Sequence, residues 1–409
     1  MHSSTSNSEE AATGSVAHPE RMTSTERLTA ADRPGIAQPV PERPVPVKAW
    51  GSILIAVAIL VVLATATWEW RMRKLELLPG DIQDTASFWA EQRRRVNTEN
   101  VPIAIVGDSR ILFDTDMSRF QALTGVRPLQ LALAGTNARP FLQNLAEDPD
   151  FKGLLLVGIS EASFFRLEAG LKGDALNTYH FESPARRVSF KIYRQLSRWL
   201  GFLDREYRMS ILLLRLDEGL RAGTGGMYNE PWKFYRTGEE RETAMWSRLE
   251  TDAYLNGHAR AFWALSFHAP PVQDEIIQKT ERMTRDAVDA IRARGGDVIF
   301  LRPPSRGPVL ANDLRRAPRA RVWDPLMRAA NVKGLYFQDD AVARELSPPE
   351  LSHLSHACST VYTDSYVRQL ALMTPRVKLL PDAPPPLTPN DCAPTPAARE
   401  VQRMLEKGS

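Results

Sequence analysis

The chain mixes one long apolar run, several short ones and wide polar stretches, and each kind predicts a different element. Residues 49–68 read AWGSILIAVAILVVLATATW, with no charge. At 1.5 Å per helical residue this run reaches about 30 Å, the depth of a bilayer's hydrocarbon core. Trp50 at one end and Trp68 and Trp70 at the other stand where interfacial aromatic belts form. Lys48, Arg71, Arg73 and Lys74 can reach the headgroups. A single transmembrane anchor over 49–70 is expected. The run is longer than the roughly 7–15 apolar residues of a cleavable signal peptide and follows a long polar tail, so it reads as an uncleaved signal-anchor. Ala64-Thr65-Ala66 is the triplet that could mimic a cleavage site. Residues 1–48 hold no Phe, Trp or Tyr and become Pro-rich from 34 to 46, the composition of a disordered tail. Basic residues flank both ends of the span, and the reading favoured here keeps this tail inside.

Beyond the anchor the pattern changes period. Residues 71–100 are polar and partly helical, expected as a stalk. VPIAIV (101–106), PLQLAL (128–133), GLLLVGI (153–159) and DVIFL (297–301) are short apolar runs with the length of buried strands. Helical patterns at 114–123 and 273–294 lie between them. This alternation predicts an α/β domain over 101–373, with a parallel sheet and ligands at the carboxyl ends of its strands. A stretch of about 161–272 is too long for a loop and is expected as a helical insertion. Within it Ser183 and Pro184 look like a helix start. Arg187, Lys191, Arg194 and Arg198 fall on one face of that helix, with Val188, Ile192, Trp199 and Leu203 on another. Such a helix suits a solvated face, anionic headgroups or a polyanionic substrate. Residues 374–409 are Pro-rich and expected as an extended tail ending in a short polar helix.

Composition narrows the function. The 52 basic residues stand against 49 acidic ones, too even a balance for a nucleic-acid binder. The two cysteines, Cys358 and Cys392, lack CxxC partners, so no thiolate metal site can be assembled. One disulfide is left open, favoured by an extracytoplasmic location. No cofactor is expected.

The chemistry concentrates at IVGDSR (105–110) and ELSHLS (350–355). Ser109 follows the first strand, where a turn exposes a hydroxyl at the sheet's carboxyl edge. A serine nucleophile needs a base. His353 can take its proton, and Glu350, three residues earlier, can orient the imidazole. Asp339 and Asp340 are alternative acids.

Together these blocks resemble the SGNH/GDSL hydrolase superfamily. The resemblance implies a flavodoxin-like three-layer α/β/α fold, with Ser109 as nucleophile, His353 as base and Glu350 in the place of the family's aspartate. It implies an oxyanion hole that uses Gly135 of LALAGTN. The family's GxND block falls on Gly158-Ile159-Ser160-Glu161, so Ser160 stands where an asparagine is usual. Asn137 is the nearest replacement donor.

The anchor and the order of the blocks further resemble membrane-anchored SGNH-like proteins of exopolysaccharide machinery. That resemblance implies an O-acyltransferase or esterase acting on acyl groups, chiefly acetyl, of an envelope or exopolysaccharide glycan. A membrane acyl-donor protein is a candidate partner, and the inner membrane, with the domain outside the cytoplasm, is the expected location. Departure at Ser160 keeps a second reading open, a catalytically degenerate scaffold or glycan-binding component. A lipid esterase or thioesterase is a third.

Overall fold

The computed structural model describes residues 49–166, 173–209, 211, 213 and 233–407. It has two compact units, 1–63 and 64–409. Of the first, only 49–63 are described, and they are helical; the expected tail 1–48 lies outside the described residues. The helix Trp50–Lys74 is long and apolar enough to cross a membrane, and its apolar window is unburied.

In chain order the strands are β1 (Ile103–Gly107), β2 (Leu129–Gln130), β3 (Leu154–Gly158), β4 (Tyr235–Thr237), β5 (Thr243–Met245), β6 (Asp297–Arg302) and β7 (Lys333–Tyr336). Five of them form a parallel sheet in the order β2-β1-β3-β6-β7; β4 and β5 pair as a separate antiparallel hairpin. β1 and β3 are buried along their whole length, which is why they read as continuous apolar runs rather than alternating ones. β7, reading KGLY with its first three residues not buried, had no such signature and was not expected.

The close of β1 and β3 sets up the site. Gly107 pairs with Gly158 in register, and Ile111 of the following helix lies across both. A Cβ added at Gly158 would stand 2.1 Å from the Cβ of Ile111. Only glycine lets the short helix Ser109–Phe113 descend directly onto the strand ends. The helix expected over 114–123 is present as Met117–Thr124, and the short helix Ser109–Phe113 before it was not foreseen. Asp116 restarts the helix by accepting the N–H groups of Ser118 and Arg119 at 2.9 and 3.0 Å.

The expected strand 128–133 is regular over only two residues, although the Leu131 and Leu133 N–H groups still reach the Ile105 and Gly107 carbonyls at 2.7 and 3.0 Å, and its outer edge is taken by a side chain. Fully buried Arg241 takes the carbonyls of Gln130 and Ala132 at 2.7 and 2.8 Å and pairs with Asp84 at 2.8 Å. The sheet edge is thereby covered rather than left open to another chain.

Three segments differ from expectation. Helix Ala86–Thr98 is not a free stalk: Trp89 is buried in the main core and donates to the Leu131 carbonyl at 2.8 Å, and Arg93 pairs with Asp148 at 2.6 Å. The insertion contains the β4–β5 hairpin as well as helices, since Thr237 and Thr243 bond across strands too short to show a period. The Pro-rich tail packs back on the domain, burying Val377 and Cys392. Cys392 is joined to Cys358 by a disulfide with Cα atoms 5.0 Å apart. Helix Pro396–Lys407 then docks through Gln402 on the Pro349 carbonyl at 2.8 Å.

Candidate functional site

Ser109 begins the helix that leaves β1, and Asp108 before it caps that helix by accepting the Arg110 N–H at 3.1 Å. Across the sheet edge, the segment 350–355 brings His353 down onto it. His353 Nε2 lies 2.8 Å from Ser109 Oγ and Nδ1 lies 3.0 Å from Glu350 Oε1. A carboxylate only accepts, so Nδ1 carries the proton and Nε2 receives the Ser109 hydroxyl proton. Asp339 pairs with Arg319, and Asp340 accepts from Ser365 and Gln369; neither serves His353.

Glu350 is held from every side. Oε1 also accepts the backbone N–H groups of Ser352, at 3.2 Å, and of His353, while Oε2 accepts the Trp263 indole N–H. The turn that allows this passes through Leu351 at φ 80°, a left-handed conformation that costs a non-glycine residue about 1–3 kcal/mol. The imidazole sits among Phe113, Phe234 and Trp263, with ring centroids 4.7, 5.2 and 5.3 Å away. His353 and Glu350 are fully buried, and Ser109 opens onto a cleft of about 490 Å³.

Gly135 and Ser160 line that cleft, and Asn137 is not among the lining residues. Gly135 has φ 72°. Among the described residues, neither the Ser109 nor the Gly135 backbone N–H is committed to a hydrogen bond, leaving two amide donors for an oxyanion. The two side-chain donors are occupied. Ser160 donates both its N–H, at 3.0 Å, and its hydroxyl, at 2.6 Å, to Asp108 Oδ2. Asn137 donates to the Arg166 carbonyl at 2.7 Å, and its Oδ1 accepts the Arg139 N–H at 2.9 Å. The structure therefore ties Asn137 to the turn that opens helix Arg139–Glu147 instead of bringing it to Ser109. Arg166 and Arg316 also line the cleft, and among the described residues neither guanidinium has a carboxylate partner.

Beneath the site runs a charged layer that no local motif announced. Asp313 Oδ2 accepts Arg110 Nη1 at 2.7 Å and Arg302 Nη2 at 2.9 Å, and Arg302 Nε donates to Glu161 at 3.0 Å. Arg110 Nε also donates to Ser352 Oγ at 3.2 Å, tying the turn of the serine to the loop of the histidine.

Asp114 is a further buried group beside the site. Its Oδ1 accepts the Leu354 N–H at 2.9 Å, and Oδ2 has no partner among the described residues. Burial pushes its carboxyl well above the usual carboxylate range, and Glu350 and Asp108 add to the rise against Arg110 and the Leu354 N–H. A carboxyl whose folded pKa is raised stabilises fully below the unfolded value of about 3.9, and that stability is lost as pH rises through the folded pKa. Asp114→Asn should keep the bond to Leu354 and flatten this loss with rising pH. Asp114→Ala orphans a buried N–H and should cost about 1–3 kcal/mol. Denaturant unfolding across pH compares them; equal stability of the two variants would remove Asp114 as the anchor of the histidine loop.

No protein-family model matches the chain, and a search of the curated proteins returned no match.

Proposed function

We propose that this chain is a membrane-anchored serine acyltransferase or esterase of the SGNH/GDSL type, acting on O-acyl groups, acetyl foremost, of an envelope or exopolysaccharide glycan. The observation that carries the reading is the line Ser109 Oγ, His353 Nε2, His353 Nδ1, Glu350 Oε1, with steps of 2.8 and 3.0 Å and Ser109 lining a cleft. The strand order supports it: renumbered within the parallel sheet it is 2-1-3-4-5, the flavodoxin-like order, whose ligands sit where β1 and β3 diverge.

In this mechanism Ser109 Oγ attacks the acyl carbonyl while His353 Nε2 takes its proton. The tetrahedral oxyanion is received by the Ser109 and Gly135 amides, and the leaving alcohol takes the proton back from His353. A second alcohol, the glycan hydroxyl, or water then attacks the acyl-serine with His353 again as base, and the acyl–Oγ bond breaks as His353 returns that proton to Ser109 Oγ. The disulfide and the candidate span both suit a domain held outside the cytoplasm at the inner membrane.

The occupied Ser160 and Asn137 donors favour a second reading, a degenerate domain that binds glycan as a scaffold. A fluorophosphonate probe separates the two. Covalent labelling of the full chain that disappears in Ser109→Ala supports the enzyme; no labelling of the folded wild type favours the scaffold.

A further inference from the structure

Helix Pro184–Ser197 has two unlike sides. Its inner side is docked on the domain. Phe190 packs on Phe88 with ring centroids 5.3 Å apart, the Tyr193 hydroxyl accepts the Gln83 N–H at 3.0 Å, and Arg186 and Arg194 reach Ser87 and Glu91. Its outer side carries Ala185, Val188, Ile192 and Leu196 at helical spacing. Val188 and Ile192 are 56% and 57% exposed, and Trp199 just beyond the helix is 70% exposed. Lys191, on the flank of this stripe, has no acidic partner among the described residues. Arg187 beside it contacts Glu182 only at 3.4 Å. An exposed apolar stripe flanked by cations is the pattern of a helix lying in a membrane interface.

The apolar run of the candidate span ends at Trp68, and the residues directly after it clamp the chain that leaves the amphipathic helix. Arg73 Nη2 donates to the Trp199 carbonyl at 3.3 Å, and the Glu69 carboxylate accepts the N–H groups of Gly201 and Phe202, each at 3.1 Å. Trp199 is thereby fastened to the turn of the anchor that emerges at the headgroups.

We propose that helix Pro184–Ser197 and Trp199 form a second, peripheral contact with the bilayer. The apolar stripe enters the boundary between headgroups and acyl chains, and Lys191 and Arg187 meet anionic headgroups. The proposal rests on Trp50–Lys74 crossing the membrane. It gives the chain a second attachment to the bilayer beside the span.

The test uses the full chain, with its disulfide intact, in vesicles of phosphatidylglycerol and phosphatidylcholine in equal amounts. An environment-sensitive fluorophore is attached in turn at Ile192→Cys, at Ile59→Cys within the apolar run, and at Leu372→Cys, an exposed position on another helix. The expected result is deep quenching by spin-labelled acyl chains at 59, shallow quenching with a blue shift at 192, and an aqueous signal at 372. The shift at 192 should weaken in pure phosphatidylcholine and in Arg187→Gln/Lys191→Gln.

A buried label at 59 with an aqueous one at 192 overturns the proposal and leaves the span standing. An aqueous label at 59 overturns the span and the proposal with it. Shielding at 192 that appears only on adding a soluble polyanionic glycan, or that vanishes as the protein is diluted in the bilayer, assigns the face to a glycan or to a second copy and overturns the proposal.

Discussion

Ser109→Ala and His353→Ala should each lower kcat for acyl-ester turnover by about 10⁴ to 10⁶-fold with little change in KM, and the double variant should be no worse than either alone. The reason lies in the chain of single partners. Ser109 meets one base, at 2.8 Å, and that base meets one carboxylate, at 3.0 Å. Glu350→Gln should also be severe, about 10² to 10⁴-fold. Every group that reaches Glu350 is a donor: the His353 ring and backbone, the Ser352 N–H and the Trp263 indole. A glutamine offers one acceptor oxygen, and its NH₂ must then face a donor, so either the indole or the imidazole is displaced. Adding Trp263→Phe to Glu350→Gln removes that conflict and should recover part of the loss. Steady-state kinetics on an activated acyl ester, with far-UV circular dichroism to verify folding, measures all five variants. Turnover that survives Ser109→Ala in a folded protein would take the serine out of the reaction.

Legibility in the sequence followed the range of the interactions. β1 and β3 are buried on both faces, so their apolar runs stood out unaided, whereas the edge strand β7 has too little burial to leave a pattern. Ser109 and His353 were nameable because each stands in a short local motif, one at a strand end and one in an Glu-x-x-His turn. Their partners from far along the chain were not. Trp263 reaches Glu350 across 87 positions and Arg110 reaches Asp313 across 203, and no spacing rule links residues so distant. The oxyanion donors show the limit of local spacing from the other side. Asn137 stands near Gly135 in sequence, yet a residue at a helix entrance finds backbone partners first, and both ends of its amide are used there. The tail misled through composition, since Pro-rich sequence suits an extended chain equally well in solvent or laid along a core and closed by a disulfide.

Asp313→Ala should destabilise the domain by about 3–5 kcal/mol, the usual consequence of leaving buried charge without its counter-ion. Asp313, Arg110 and Arg302 are all buried, and removing the carboxylate leaves two guanidiniums to share Glu161, which contacts only Arg302. Asp313→Asn should cost less, because an amide oxygen can still accept from one arginine. The two variants also differ from the wild type in acid. Burial pushes the Asp313 carboxyl up, but Arg110 and Arg302 outweigh it and hold the group below its ordinary value. A depressed folded pKa contributes stability above the unfolded value of about 3.9 and loses it as pH falls through the folded one. The wild type should therefore lose this component only in strong acid, while both variants lack it at every pH and show a shallower acid limb in urea unfolding. The damage should reach catalysis too. Arg110 follows Ser109 directly and donates to Ser352, so without Asp313 the serine turn and the histidine loop lose their shared strut and kcat should fall even where the protein remains folded. Unchanged urea midpoints at neutral pH, with an acid limb as steep as that of the wild type, would show that the two arginines find other partners and that the layer beneath the site is not what holds Ser109 against His353.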